Sequence, residues 1–453
     1  MNEQWSRVNL RRWLTPGIGV KRWLLVVFLG LLLLALGFAH FLRQVSRDFE
    51  PGGPFEAIVS IITLQFLPYL LRGFLVGALG LVLVAVGAYR VMRVVTDPFR
   101  APDADQPLVE VIYQKRFLAR GPKIVAIGGG TGLSTLLRGL KEHTSNLTAV
   151  VTVADDGGSS GVLREELGIA PMGDLRNCIA ALADAEPLMS ELLQYRFPAA
   201  DGSQAAPAVE GPGLAGHAVG NLLLAAMTAI EGGDFEEGVR RINRILAVRG
   251  QVVPVTGTPL TLHARLVDGS SVVGQSRIMR TADIERVWIS PDDVRASEDA
   301  LAAIAEADLI VIGPGSLYTS LLPSLLIPAI RDALSSTAAP RIYVCNVATQ
   351  EGETTGFDLA AHVRALVDHT APGIVDVVLA NNRFDARTPP GWQAEAVRLN
   401  WPPAGMTGPP HLVLDDVVDP DNAHHHDPAR LAAAVLRAAE AEAPRRRAVT
   451  RTA

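Results

Sequence analysis

The chain has 453 residues, enough for a membrane segment beside one large domain or two smaller ones. Charged residues make up 19% and hydrophobic residues 49%, with a mean hydropathy of +0.24, which is apolar for a wholly water-exposed protein. A net charge of −6 carries no nucleic-acid footprint, and two cysteines, Cys178 and Cys345, exclude a disulfide scaffold and fit a reducing compartment.

Residues 1–96 read as a membrane hairpin. Trp23 to Leu42 holds no formally charged side chain and is long enough to span a bilayer once. A second apolar stretch, interrupted by Arg72, has its spanning core at 73–92, where Arg72 can snorkel to the interface. Basic residues concentrate before the first span (Arg7, Arg11, Arg12, Lys21, Arg22) and after the second (Arg90, Arg93, Arg100). The loop between mixes Arg43 and Arg47 with Asp48, Glu50 and Glu56. The bias predicts both termini and the main domain on the cytoplasmic side of the inner membrane. Residues 97–121, polar and proline-bearing, read as a linker.

The domain over 122–421 opens with an apolar run, Ile124 to Ile127, that predicts a buried strand. It meets Gly128-Gly129-Gly130-Thr131-Gly132, then leucines at helical spacing. A strand, a glycine turn and a helix present main-chain N–H groups to a phosphate. The dinucleotide fingerprint fails here, because its sixth position is Leu133, and no Gly-Lys-Ser/Thr follows. A bare tight turn is the plain alternative.

A second β-branched run, Leu147 to Val153, delivers Asp155-Asp156-Gly157-Gly158-Ser159 at its end. Asp155 and Asp156 suit ribose hydroxyls or Mg2+, or simply cap a turn. Asp174 reads as an N-cap. His217 and Asn221 start an apolar helix, with structural and binding roles both open. Val252 to Ile278 reads as an inserted β-meander turning at Asp268-Gly269. Asp308 to Ile312 is a strand ending in Gly313-Pro314-Gly315-Ser316; Arg341 to Cys345 is another, leading to Asn346 and Gln350. Ile374 to Leu379 and His411 to Leu414 complete the strands. The tail, 422–453, carries His424-His425-His426, whose spacing and isolation argue against a metal site, and a helix from Pro428. The fold class is α/β, Rossmann-like, with a mostly parallel sheet, the inserted meander and two preceding transmembrane helices.

In order along the chain, the motifs Gly128-Gly-Gly-Thr-Gly-Leu-Ser, Thr152-Val-Ala-Asp-Asp-Gly-Gly-Ser-Ser-Gly, Gly173-Asp-Leu-Arg-Asn, Gly216-His-Ala-Val-Gly-Asn, Gly313-Pro-Gly-Ser-Leu-Tyr-Thr-Ser and Cys345-Asn-Val-Ala-Thr-Gln resemble those of the gluconeogenesis-factor (YvcK-like) family, within the wider CofD-like, phospholactate-transferase-like group. The resemblance spans Lys123 to Pro420 and departs at Gly274-Gln275-Ser276, where Gly-Glu-Ser is expected. It implies a Rossmann-like domain that binds a nucleotide sugar such as UDP-N-acetylglucosamine. The implied role is a regulator of gluconeogenic growth, cell shape and wall-precursor supply. The related transferases move a phospholactyl-type group with Mg2+. On this reading Gly129, Gly130, Thr131 and Gly132 hold diphosphate, and Asp155 and Asp156 meet ribose, sugar or metal. Ser159, His217, Asn221, Gly313, Gly315, Ser316, Asn346 and Gln350 complete the expected ligand set. A homo-oligomer is compatible with the sequence. The transferase is the first rival function, and a dinucleotide oxidoreductase, disfavoured by the broken fingerprint, the second.

Overall fold

The computed structural model describes residues 118–183, 186–198, 213–388 and 394–449, with isolated positions before 118. It divides into two units, Met1–Phe117 and Leu118–Ala453. Both expected membrane spans, 23–42 and 73–92, lie outside the described residues apart from Leu31, Leu32, Ala35 and Ala78, which are helical, as is Leu71 just before the second span. Among the described residues no helix is long and apolar enough to cross a membrane.

The second unit is built on seven strands: β1 (Ile124–Gly128), β2 (Leu147–Val151), β3 (Gln251–Pro254), β7 (Leu309–Ile312), β8 (Arg341–Val344), β9 (Val377–Asn381) and β10 (His411–Asp415). Their order is β10-β9-β8-β7-β1-β2-β3, and every neighbouring pair is parallel. A parallel sheet needs helices on both faces, so its central strands are apolar throughout. β1, β2, β7, β8 and β9 are buried at every residue. The chain builds outward from β1 to β3 on one side and from β7 to β10 on the other. The reversal falls between β1 and β7, where the loops leaving the strand ends splay apart and open a crevice.

Helix Gly130–Leu140 buries Leu133, Leu136, Leu137 and Leu140. It packs on helix Gly173–Leu182 and on the C-terminal helix Pro428–Val449. The last contact is close: a Cβ on Gly139 would fall 1.9 Å from the Pro428 carbonyl oxygen. Leu431 and Val435 are fully buried, so the tail helix is integral to this unit's core.

The expected meander is corrected in two ways. Its first run, β3, belongs to the edge of the main sheet. Its middle, β4 (Thr261–Leu266) and β5 (Ser271–Val273), joins β6 (Ile284–Ser290), a strand beyond the expected bounds, in a separate antiparallel sheet of order β5-β4-β6, while Gln275–Ile278 is a short helix. The Asp268-Gly269 turn stands as read: Gly269 has φ +86° and Ser270 N donates to Asp268 Oδ1 at 2.8 Å. After β10 the chain makes one further hairpin, β11 (Val418–Asp419) with β12 (Asn422–His426), which the sequence reading missed.

Candidate functional site

A cavity of about 890 Å³ occupies the crevice at the C-terminal ends of β1, β2, β7 and β8. Its floor is the glycine turn. Gly129 is extended, with φ −171°, and Gly130 enters the helix at φ +66°. A Cβ at position 129 would lie 2.3 Å from Asp174 Oδ2 and 2.8 Å from Thr152 Cγ2. One at 132 would lie 2.6 Å from the Pro314 carbonyl oxygen. The glycines therefore let three strand-end loops close on one another, a purpose in addition to ligand approach. The helix that follows has no side-chain cap and no acidic residue in its first turn, so its terminal N–H dipoles face the cavity uncompensated except where Asp174 accepts from Gly130 N.

The carboxylates divide by environment. Asp155 Oδ1 accepts from Gly157 N at 3.0 Å and its carboxyl also accepts from Ser160. Burial raises its pKa, opposed by those donors. Asp174 is raised to about 7, first by burial and then by the charge of Asp155, with Gly130 N–H and Arg176 opposing. It was expected to cap its helix, but Met172 is the N-cap and Asp174 sits in the first turn, turned to the cavity wall. Asp156 is committed elsewhere. Its Oδ1 accepts from Ser276 N at 2.8 Å and Ser276 Oγ at 2.6 Å, and its Oδ2 lies against Gly274. It ties the Gly274–Ser276 turn over the cavity.

Ser159, His217 and Asn221 are buried and do not line the cavity. They form the layer behind Asp155. Arg176 Nη1 donates to Asn221 Oδ1 at 3.2 Å, which fixes the amide's orientation. Asn221 Nδ2 then donates to Ser159 Oγ at 3.1 Å and Ser160 Oγ at 3.3 Å. With both hydroxyl oxygens accepting, the hydroxyl hydrogens go onward, from Ser160 to Asp155 and from Ser159 to His217 Nδ1 at 3.1 Å. These residues position the wall.

The opposite wall comes from the loops after β7 and β8. Gly315 N donates to Asn346 Oδ1 at 3.2 Å and Asn346 Nδ2 donates to Gly315 O at 3.0 Å, a two-point clamp on the loop. Gln350 Nε2 donates to Ser316 Oγ at 2.8 Å, while Gln350 Oε1 is buried with no partner. Gly313, at φ +82°, turns the chain behind the cavity and does not line it. A π-helical turn, Leu317–Leu321, places Thr319 and Ser320 at the edge. Glu353, 2% exposed, accepts from Tyr318 N at 3.2 Å and from Thr319 Oγ1, and burial raises its pKa to about 7.

The structure thus brings Gly129–Gly132, Asp155, Asp156, Gly315, Ser316, Asn346 and Gln350 to one cavity, and leaves Ser159, His217, Asn221 and Gly313 behind it. Sequence reasoning missed Gln275, Ser276 and Arg280 on one rim and His424–His426 on another. Arg280 is the one Lys or Arg among the described lining residues. His426 Nε2 reaches the Cys345 carbonyl at 3.4 Å, and burial lowers its pKa to about 4, so it is neutral. Among the described residues no group of three or more His, Cys, Asp or Glu side chains could hold a metal. Asp155 and Asp174 both line the cavity, and the charge of Asp155 adds to burial in raising the Asp174 pKa.

A parallel sheet with a glycine-floored crevice at its reversal point defines an α/β protein with a cavity at the edge where such sheets hold ligands. Residues 124–395 match the family profile described as 2-phospho-L-lactate transferase CofD. The chain belongs to the gluconeogenesis factor family within that CofD group. It is 48% identical over 364 residues to a putative gluconeogenesis factor of Nostoc sp., covering 78% of this chain and 75% of that one. It is 38% identical over 436 residues to one from Deinococcus radiodurans, covering 94% and 89%. It is 48% identical over 266 residues to the gluconeogenesis factor of Bacillus subtilis, covering 58% and 80%. The crystal structure of a UPF0052 family member from Bacillus halodurans superposes with a TM-score of 0.62 at 41% identity, over 70% of this chain and 99% of that one.

Proposed function

We propose that the chain is a membrane-tethered regulator whose cytoplasmic domain binds a UDP-sugar of the UDP-N-acetylglucosamine kind, at the service of gluconeogenic growth, cell shape and wall-precursor supply. The observation that carries this reading is the uncapped helix N-terminus at Gly129–Gly132, set on the floor of a cavity about 890 Å³ in volume, large enough for a nucleotide sugar. Its walls are rich in hydroxyls and amides, which suit sugar and ribose hydroxyls. Three carboxylates against Arg280 alone would repel a diphosphate. A Mg2+ ion carried with the phosphates, held by Asp155 and Asp174, would neutralise that charge. The tether rests on the two apolar stretches, on their basic flanks and on the exposed side chains of the helical Leu31, Leu32 and Leu71.

A second reading, a Mg2+-dependent transferase of a phospholactyl-type group, is favoured by the match of residues 124–395 to the 2-phospho-L-lactate transferase CofD profile. Calorimetry with UDP-N-acetylglucosamine, with and without Mg2+, followed by an assay for turnover of a nucleotide-activated phospholactyl donor, separates the two. Saturable binding without turnover supports the regulator. Turnover abolished by Asp174→Asn supports the transferase. No binding by the sugar nucleotide, with NAD bound instead, overturns both.

A further inference from the structure

The segment Gly274–Arg280 runs along the cavity as a strap fixed at both ends. At the first end, Asp156 Oδ1 accepts from Ser276 N at 2.8 Å and from Ser276 Oγ at 2.6 Å. A Cβ on Gly157 would lie 2.8 Å from that hydroxyl oxygen. At the other end, the backbone of Met279 and Arg280 lies on Gly352, in the loop after β8. A Cβ on Gly352 would fall 2.7 Å from the Met279 carbonyl oxygen and 3.1 Å from Arg280 Cα. Gly352 also has φ +92°, so its conformation and its surroundings both call for glycine. Between the two ends Ile278 is fully buried, and the short helix Gln275–Ile278 packs on β4 and β5. Its other face carries Gln275 and Ser276, followed one turn later by Met279 and Arg280, and all four line the cavity.

This strap brings a cation to an acidic space. Asp155, Asp156 and Asp174 line the cavity, and Arg280 is the one Lys or Arg among its described lining residues. Arginines that hold this fold together are engaged by a carboxylate. Arg341 Nη2 lies 2.9 Å from Asp376 Oδ1, and Arg265 Nε lies 2.7 Å from Glu285 Oε2. Arg280 is exposed, and among the described residues its side chain has no such partner. Its backbone is pinned while its charged end is uncommitted. A fixed stem with a free planar fork of N–H donors suits an anion with paired oxygens. The glycine floor offers uncapped helix N–H groups to an anion as well.

We propose that Arg280 reads the phosphate charge of the ligand. The inference rests on the nucleotide-sugar reading and narrows it: the diphosphate is held between the N–H groups of the floor and the guanidinium delivered by the strap. A neutral nucleoside would forgo both.

The test is calorimetry of the full-length chain with UDP-N-acetylglucosamine at low and high salt, Mg2+ present throughout, for the wild type, Arg280→Gln and Arg280→Lys. Arg280→Gln should weaken binding about 10–100-fold and flatten its salt dependence. Arg280→Lys keeps the charge without the fork, and should recover part of the affinity and the salt dependence. Both variants should melt with the wild type, since the side chain holds nothing else in place. A wild type that binds and an Arg280→Gln that binds equally well overturn this inference and leave the cavity reading standing. Equal losses for Gln and Lys, with the salt dependence kept, mark a packing role and overturn it too. A wild type that does not bind overturns both.

Discussion

Gly129 and Asp174 are packed so closely that a single methyl group would not fit between them: a Cβ at 129 would sit 2.3 Å from Asp174 Oδ2. The glycine turn and the acidic wall of the cavity are one unit. Gly129→Ala must displace Asp174 or Thr152, an overpacking cost of about 1–3 kcal/mol. Urea denaturation should show that loss, and sugar-nucleotide affinity should fall with it.

Gly130 differs from its neighbour. Its nearest foreign atom to a Cβ would be Ser320 Oγ at 3.9 Å, so there is space, but φ is +66°. Gly130→Ala should cost about 1–2 kcal/mol from backbone strain alone, and Gly130→Asn visibly less, because Asn tolerates the left-handed region. Equal losses for the two substitutions in urea titrations would contradict this account.

Asn221 is predicted to be a stability residue. Asn221→Leu leaves Arg176, Ser159 and Ser160 without their shared partner inside the protein. The cost should reach about 3 kcal/mol or more. A double-mutant cycle with Arg176→Met should show a coupling of about 1–3 kcal/mol. Additive losses in thermal or urea unfolding would argue that the network is not a unit.

Glu353 gives a pH signature. Its folded pKa of about 7 lies above the ordinary value of 4.5, so the folded state holds a proton that the unfolded state releases. That contribution to stability is fully present below about pH 4.5 and is lost as pH rises through about 7. Glu353→Gln should match the wild type near pH 4.5 and exceed it at pH 8, by up to about 3 kcal/mol. Parallel stability curves from pH 4.5 to 8 would contradict the assignment.

Much of the fold was written in local patterns. β-branched runs bounded by glycines marked the strands of the main sheet, and the loops at their ends marked the crevice edge. The pattern failed where tertiary context decides. The run at Val252 and Val253 reads the same whether it joins the main sheet or a hairpin, and only the space beside β2 places it. Motif membership also could not separate a wall from its support. Asp155 and Asn221 sit in equally marked motifs, yet one lines the cavity and the other stands behind it. His424–His426 carried no signal, because the hairpin that returns them to the cavity follows the last sheet strand and has no periodicity of its own.

Titration calorimetry of the full-length chain with UDP-N-acetylglucosamine in the presence and absence of Mg2+, beside Asp155→Asn and Asp174→Asn, tests the central claim most directly. The account predicts saturable one-site binding in the wild type, stronger with Mg2+, and loss of the Mg2+ dependence in both variants. No heat of binding in the wild type under either condition, or a Mg2+ dependence untouched by both substitutions, would contradict it.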